Sequence, residues 1–299
     1  MTEIQAVNIN KSYKIRGNGT SKDNKENNEI FALKEVNLQV NAGEFLVIIG
    51  PSGCGKSTFL DIVGGLSRPD DGDILIGGKP VKGPGLDRGI VFQQYALFPW
   101  RTALENVEVG LEAQKIDKDK QHGIATEYLA LVGLTGFENR YPYELSGGMK
   151  QRVAIARALA LNPDILLMDE PFAALDAQTR EILQRDLLRI KDETKKTVLF
   201  ITHSIDEAVF LADRVAVMTA RPGRIKEIVD IPITHQQRLE EDVQSTDEYV
   251  RIRHTLWATL KEEVEKAQML CRACPVEGCS GRVDIQSLAG SGAMKKIKA

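Results

Sequence analysis

The 299-residue chain has no apolar run approaching the roughly 18 residues that a membrane-crossing helix needs. Its opening, Met1 to Ala6, lacks the basic and apolar regions of a secretion signal. Work at a membrane would therefore proceed by docking onto another protein. Cysteine is sparse: there are four, and three of them crowd near the C-terminus, which excludes a disulfide framework and fits a reducing cytoplasm. An excess of either charge is missing too, and a formal net charge of -3 argues against nucleic acid as the main partner. A guanine-reading Asn-Lys-x-Asp is also absent, because Asn24 to Asn27 ends in Asn and lies before the glycine-rich stretch at 50–58, so a GTPase switch is rejected. What is present is 42% apolar content, enough for a real core in one large domain or two smaller ones.

The stretch Gly50 to Thr58 (Gly-Pro-Ser-Gly-Cys-Gly-Lys-Ser-Thr) sets the terms for the rest. The apolar run before it, 45–49, reads as a buried parallel strand, and 59–63 after it has helical spacing. Strand, glycine-rich turn and helix start make a phosphate nest, in which Gly50, Gly53 and Gly55 let backbone N–H groups converge on one anion. Lys56 brings a full positive charge to the β- and γ-phosphates, and Ser57, opening the helix, is placed to ligate Mg²⁺. Pro51, Ser52, Cys54 and Thr58 belong to the same nucleotide-binding stretch. Cys54 occupies a position that accepts any residue and reads as small and tolerated, not catalytic. A plain solvent loop is the alternative, but the full G-x-x-x-x-G-K-[ST] in this context predicts a nucleoside triphosphate site.

Residues 4–13 alternate apolar and polar side chains as an edge strand would, and the almost wholly polar 16–29 reads as a solvated loop. Strand periodicity resumes at 31–33 and 36–40, and short strands follow at 73–76 and 89–93, the latter ending in Gln93. From Gln94 an apolar loop runs through Phe98 and Trp100. Helical spacing then extends from 103 to about 160, interrupted at 133–136 and 141–143, so a helical subdomain is expected over about 94–160. Strand character returns at 165–168, 197–201, 214–218 and 225–229, with helices over 177–193 and from Ser204. The alternation predicts an α/β protein with a mostly parallel sheet and ligands at the carboxyl ends of its strands. The nest, Gln93, Asp169, Glu170 and His203 all follow strand ends, which puts them along one edge.

A carboxylate after an apolar strand is needed to hold Mg²⁺, usually through water, opposite Ser57, and Asp169 is placed for that. Glu170 is suited to act as the general base for the water attacking the γ-phosphorus. Taken alone, such a pair would as readily be a helix cap or an ion pair. His203 alone would read as a hydrogen-bonded core histidine, but at this position it can hold γ-phosphate and water in line. Gln93 is suited to ligate Mg²⁺ and sense the γ-phosphate. Phe98 and Trp100 have no evident core and suit a protein partner. A second anion site opens the last long helix at Leu145 to Arg152 (Leu-Ser-Gly-Gly-Met-Lys-Gln-Arg), where Ser146, Gly147 and Gly148 offer a hydroxyl and backbone N–H groups. One nucleotide cannot easily occupy both sites of one chain, so the expected arrangement is a head-to-tail dimer with each ATP clamped between two subunits.

In order and approximate spacing, the nest, Gln93, 145–151, 165–171, 174–176 and His203 resemble the Walker A, Q-loop, signature, Walker B, D-loop and H-loop of the ATP-binding subunits of ABC transporters. The resemblance covers roughly residues 4–230. It implies a P-loop, RecA-like core with an antiparallel β part at the N-terminus, an ATPase domain over 1–230, and ATP and Mg²⁺ as cofactors. It also implies that Tyr13 stacks on adenine, that Asp176 links the two active sites, and that Ser146, Gly147, Gly148 and Gln151 act on the partner's ATP. Residues 98–101, 168–180 and 219–224 look like the nitrate, sulfonate and taurine importer branch. That branch implies a peripheral subunit on the cytoplasmic face of the membrane, bound to an integral permease and served indirectly by a solute-binding protein. The rival is a soluble ABC ATPase of DNA repair or translation, a class that usually carries two fused units or a long coiled coil; this chain shows neither.

The C-terminal part departs from the family. Residues 231–269 are expected to form a helical extension, with Tyr249, Ile252, Leu256, Leu260 and Val264 on one face of an amphipathic helix. The tail 270–299 carries Cys271, Cys274 and Cys279. A C-x₂-C-x₄-C run suits Zn²⁺ or an iron–sulfur cluster, yet no nearby His supplies a fourth ligand; a mobile, redox-exposed tail is the other reading.

Overall fold

The computed structural model describes residues 2–14, 29–240 and 242–272. In chain order the elements are β1 (Ile4–Lys14), β2 (Glu29–Val40), β3 (Phe45–Ile49), α1 (Lys56–Gly64), β4 (Asp71–Ile76), β5 (Lys79–Pro80) and β6 (Arg88–Val91). Three helices follow, α2 (Ala103–Ala113), α3 (Lys118–Leu131) and α4 (Gly147–Ala160). The rest is β7 (Ile165–Asp169), α5 (Ala177–Thr194), β8 (Thr197–Ile201), α6 (Ile205–Leu211), β9 (Arg214–Met218), β10 (Ile225–Asp230), α7 (His235–Leu239) and α8 (Asp247–Arg272).

Two sheets carry the architecture. An antiparallel sheet has the order β2-β1-β4-β5, and a six-stranded sheet has the order β10-β9-β3-β8-β7-β6. In the latter, all neighbours are parallel except β10 and β9. The expected edge position of the first strand is corrected: β1 lies between β2 and β4. Its Ile4, Ala6 and Ile9 are buried while Val7 and Asn8 are exposed, so the alternation marks a sheet with one wet face. Residues 31–33 and 36–40 are one strand, bent at Glu35, whose φ of 51° accompanies a shift in register against β1.

The β3 strand explains why its sequence is apolar throughout. Phe45, Val47 and Ile49 enter the core shared with α4, α5, α6 and α8, and Leu46 and Ile48 enter the core shared with α1 and the antiparallel sheet. Each of the five is fully buried, which fixes the strand from both faces. The amphipathic C-terminal helix forms as its pattern requires. Tyr249, Leu256, Leu260 and Val264 join the larger core, Ile252 packs at its margin, and the Tyr249 hydroxyl donates to the Asp206 carbonyl at 3.0 Å. The cysteine reading of the tail concerns side chains at 271, 274 and 279 that lie outside the described residues. Among the described residues, no helix is long and apolar enough to cross a membrane.

Candidate active site

The nest forms because the chain leaves β3 through a turn that only glycine tolerates at its end. Gly55 has φ 111°, and a Cβ there would lie 2.7 Å from the Ala32 carbonyl oxygen. The helix that follows has no side-chain cap, whereas α2 to α7 are capped by Thr102, Asp117, Ser146, Asp176, Ser204 and Thr234. The first N–H groups of α1 are therefore left for an anion. Lys56 is buried and folds back, donating to the carbonyls of Gly50 (2.8 Å) and Pro51 (3.0 Å). Cys54 is buried, which raises its thiol pKa and leaves it inert. A cleft of about 530 Å³ opens above these groups, walled by Tyr13, Ile30 and Ala32 on one side, by the nest on the other, and by Glu170 and Arg221. Tyr13 is half exposed, with Lys11 Nζ 5.7 Å from its ring centre.

The parallel register brings the end of β7 beside β8, and β8 beside the nest strand. Asp169 ends β7, and its Oδ1 is buried without a partner. Burial raises its pKa, with the Ser57 hydroxyl and then Lys56 pulling the other way. An unpaired buried carboxylate oxygen next to a serine hydroxyl fits a hard divalent cation. Ser57 and Asp169 are thus the residues that would hold Mg²⁺ against a triphosphate. Among the described residues, no group of three or more His, Cys, Asp and Glu is placed to hold a metal ion.

Glu170 sits at φ 42°, a left-handed backbone uncommon outside glycine, with its N–H donated to the Ile201 carbonyl at 2.9 Å. Its Oε2 lies 3.2 Å from His203 Nδ1. The hydrogen bond to His203 lowers the Glu170 pKa, and the same bond raises that of His203. Mutual attraction is present below the raised histidine pKa and lost as pH climbs through it; on the acid side it is lost as pH falls through the lowered carboxyl pKa. We expect an NMR titration of the His203 ring in the nucleotide-free protein to give a midpoint above the ordinary 6.5, moving back toward it in Glu170→Gln. Identical midpoints in the two proteins would show that the pair does not form in solution.

Other expected site residues stand apart from the cleft. Gln93 is exposed, two residues beyond the end of β6. Ser146 caps α4, accepting from the Met149 N–H at 3.3 Å, and is exposed with Gly147 beside it, yet neither lines the cleft. Gln151 is fully buried on α4 and does not line the cleft. Asp176 caps α5, accepting from the Thr179 N–H at 3.0 Å, and this bond lowers its pKa. Phe98 is sheltered more than its sequence suggests: its ring lies 5.5 Å from that of Trp100, and its backbone is tied to buried Asn106. Trp100 remains largely exposed, at 70%.

Three side chains with positioning roles escaped sequence reasoning. Asn106 braces the 98–102 loop, Arg157 of α4 donates to the Ala96 (2.6 Å) and Tyr95 (2.9 Å) carbonyls, and Arg221 reaches the nest. Only Asn106 left a signal, as an amide on an otherwise apolar helix face.

Strand, nest, uncapped helix and orphaned carboxylate define a P-loop nucleotide-binding protein. The chain matches the ABC transporter family over residues 33–173. An uncharacterised ABC transporter ATP-binding protein of Methanocaldococcus jannaschii is 52% identical over 265 residues, which cover 89% of this chain and 94% of that protein. A bicarbonate transport ATP-binding protein of Synechocystis is 53% identical (70% and 77% covered), and a nitrate import ATP-binding protein of Synechococcus elongatus is 48% identical (74% and 82%). Among solved structures, a dimeric ATP-binding cassette in a post-hydrolysis state with ADP and Pi matches with TM-score 0.66 and 37% identity, covering 76% of this chain and 98% of that one. The chain belongs to the ATP-binding subunits of ABC transporters and is an ABC ATPase.

Proposed function

We propose that two copies of the chain, or this chain and a close relative, clamp MgATP head to tail and that its hydrolysis drives uptake of a small anion through a separate membrane permease. The observation that carries the dimer is the placement of the two anion sites. The nest and Glu170 share one cleft, whereas the exposed N-terminus of α4 at Ser146 lies away from it, open to a neighbour's nucleotide. Tyr13 would stack on the base, and Lys56 with the open α1 N-terminus would hold the β- and γ-phosphates. Ser57 and Asp169 would hold Mg²⁺, which would supply charge neutralisation on the transferred phosphoryl group. Glu170, freed from His203, would accept the proton of the attacking water, and His203 would then face the γ-phosphate. Gln93 would reach the cleft on closure, and Arg157 would pass its displacement to α4 through the Tyr95 and Ala96 carbonyls.

The solute and the membrane location rest on the relatives. One is named for bicarbonate and another for nitrate, both small anions, and a solute-binding protein is the expected source of such cargo. Exposed Trp100 beside Phe98 offers an apolar knob to a permease. Tagged full-length protein should recover from membranes together with an integral membrane protein, and Trp100→Glu should release it. Recovery only from the soluble fraction, with no integral partner, would favour the soluble ATPase reading.

A further inference from the structure

The last helix and the nucleotide cleft are joined by a short relay that the proposed reaction does not yet use. Glu263 of α8 is buried, at 2% exposure, and its Oε2 accepts from the Ala220 N–H at 3.0 Å. Its Oε1 meets Lys226 Nζ at 3.0 Å and Lys266 Nζ at 2.7 Å. Ala220 is the second residue of the β9–β10 loop, which Thr219 closes on itself: the Thr219 N–H donates to the Arg224 carbonyl at 2.9 Å and the Thr219 hydroxyl to the Pro222 carbonyl at 2.9 Å. From this braced loop Arg221 donates two bonds to the Gly53 carbonyl, from Nε at 3.2 Å and Nη2 at 3.1 Å. Gly223 lies against the next carbonyl, that of Cys54, so closely that a Cβ would come within 2.3 Å of it.

A planar trans peptide points its C=O and N–H in opposite directions. Holding the Gly53 and Cys54 carbonyls on the loop side therefore turns the N–H groups of Cys54 and Gly55 toward the concave side of the nest. The Cys54 N–H already faces the Pro51 carbonyl there, at a long 3.4 Å. That carbonyl is also one of the two that Lys56 contacts.

We propose that Arg221 and Glu263 are positioning residues for the nucleotide. Arg221, at the wall of the cleft, presets the phosphate-binding peptides through the Gly53 carbonyl, and Glu263 makes that preset depend on the docking of α8. The inference rests on the cleft being the nucleotide site. Its signature is a change in affinity without a change in chemistry, because neither residue is bonded to Glu170 or His203.

The test is ATPase kinetics and fluorescent ADP titration on full-length protein carrying Arg221→Ala, Arg221→Lys, Glu263→Ala or Glu263→Gln, with Lys56→Ala as the control. Losing a charge-assisted pair of about 1.4 kcal/mol corresponds to about tenfold in affinity. Arg221→Ala should raise KM and the ADP Kd by about that factor with kcat within about twofold. Arg221→Lys should recover part of the loss, and Glu263→Ala should shift KM in the same direction. Glu263→Gln, which still accepts from Ala220, should shift it less. If Arg221→Ala and Glu263→Ala lower the melting temperature but leave KM and Kd unchanged while Lys56→Ala abolishes binding, the relay is only structural and the proposal fails. If Lys56→Ala binds nucleotide normally, the cleft assignment itself fails.

Discussion

Glu170→Gln should bind ATP as well as the unchanged protein and hydrolyse it ~10²–10⁴-fold more slowly, the range by which a placed general base accelerates proton transfer. The amide keeps the shape of the side chain and every nest contact, so nothing that holds the phosphates is disturbed. What it cannot do is accept the water's proton. With hydrolysis blocked and binding intact, ATP should accumulate between two subunits, and gel filtration with MgATP should show a dimer that the unchanged protein forms only in passing. His203 loses its carboxylate partner in the same variant, so the ring titration described above reports that the substitution acted where intended. Near-normal turnover would remove Glu170 from the chemistry and leave its left-handed backbone without a functional reason.

Replacing Ser146 with Glu should cost ~10²–10³-fold or more in hydrolysis, the scale seen when a preorganised donor to developing charge is removed. The acid would add negative charge where the γ-phosphate is expected, and its charge is tolerated by the helix because it sits at the positive end of α4. Binding of nucleotide by the isolated chain should hold within a few-fold, since Ser146 does not line that chain's own cleft. Mixing this variant with Lys56→Ala should restore part of the activity. One of the two composite sites then joins an intact nest to an intact Ser146. Full-rate hydrolysis by Ser146→Glu alone would overturn the shared-site arrangement.

Much of the site was readable because it obeys local rules. A glycine-rich turn between an all-apolar strand and a helix has few uses other than phosphate binding, and Asp169, Glu170 and His203 drew attention because each lies at or just beyond the end of a recognisable strand. The first strand was misplaced because alternation reports a wet face, and a central strand of a one-sided sheet shows it as readily as an edge strand. The burial of Gln151 was invisible for a related reason: a glutamine on a helix reads as surface, and only the folded chain encloses it. Arg157, Arg221 and Glu263 were missed because their partners are backbone groups far along the chain, which leave no trace in side-chain periodicity. The capping role of Asp176, by contrast, lies four residues within a turn, and the resemblance drew attention to the residue without supplying that local reason for it.

Gly148 has a further consequence. A methyl group there would overlap the Thr179 methyl at 2.4 Å, so the opening turns of α4 and α5 touch only because one of them is bare. The two turns therefore lie in close contact at Gly148 and Thr179. If Ser146 reads a neighbour's terminal phosphate as proposed, the helix capped by Asp176 is the one its own helix would press on first.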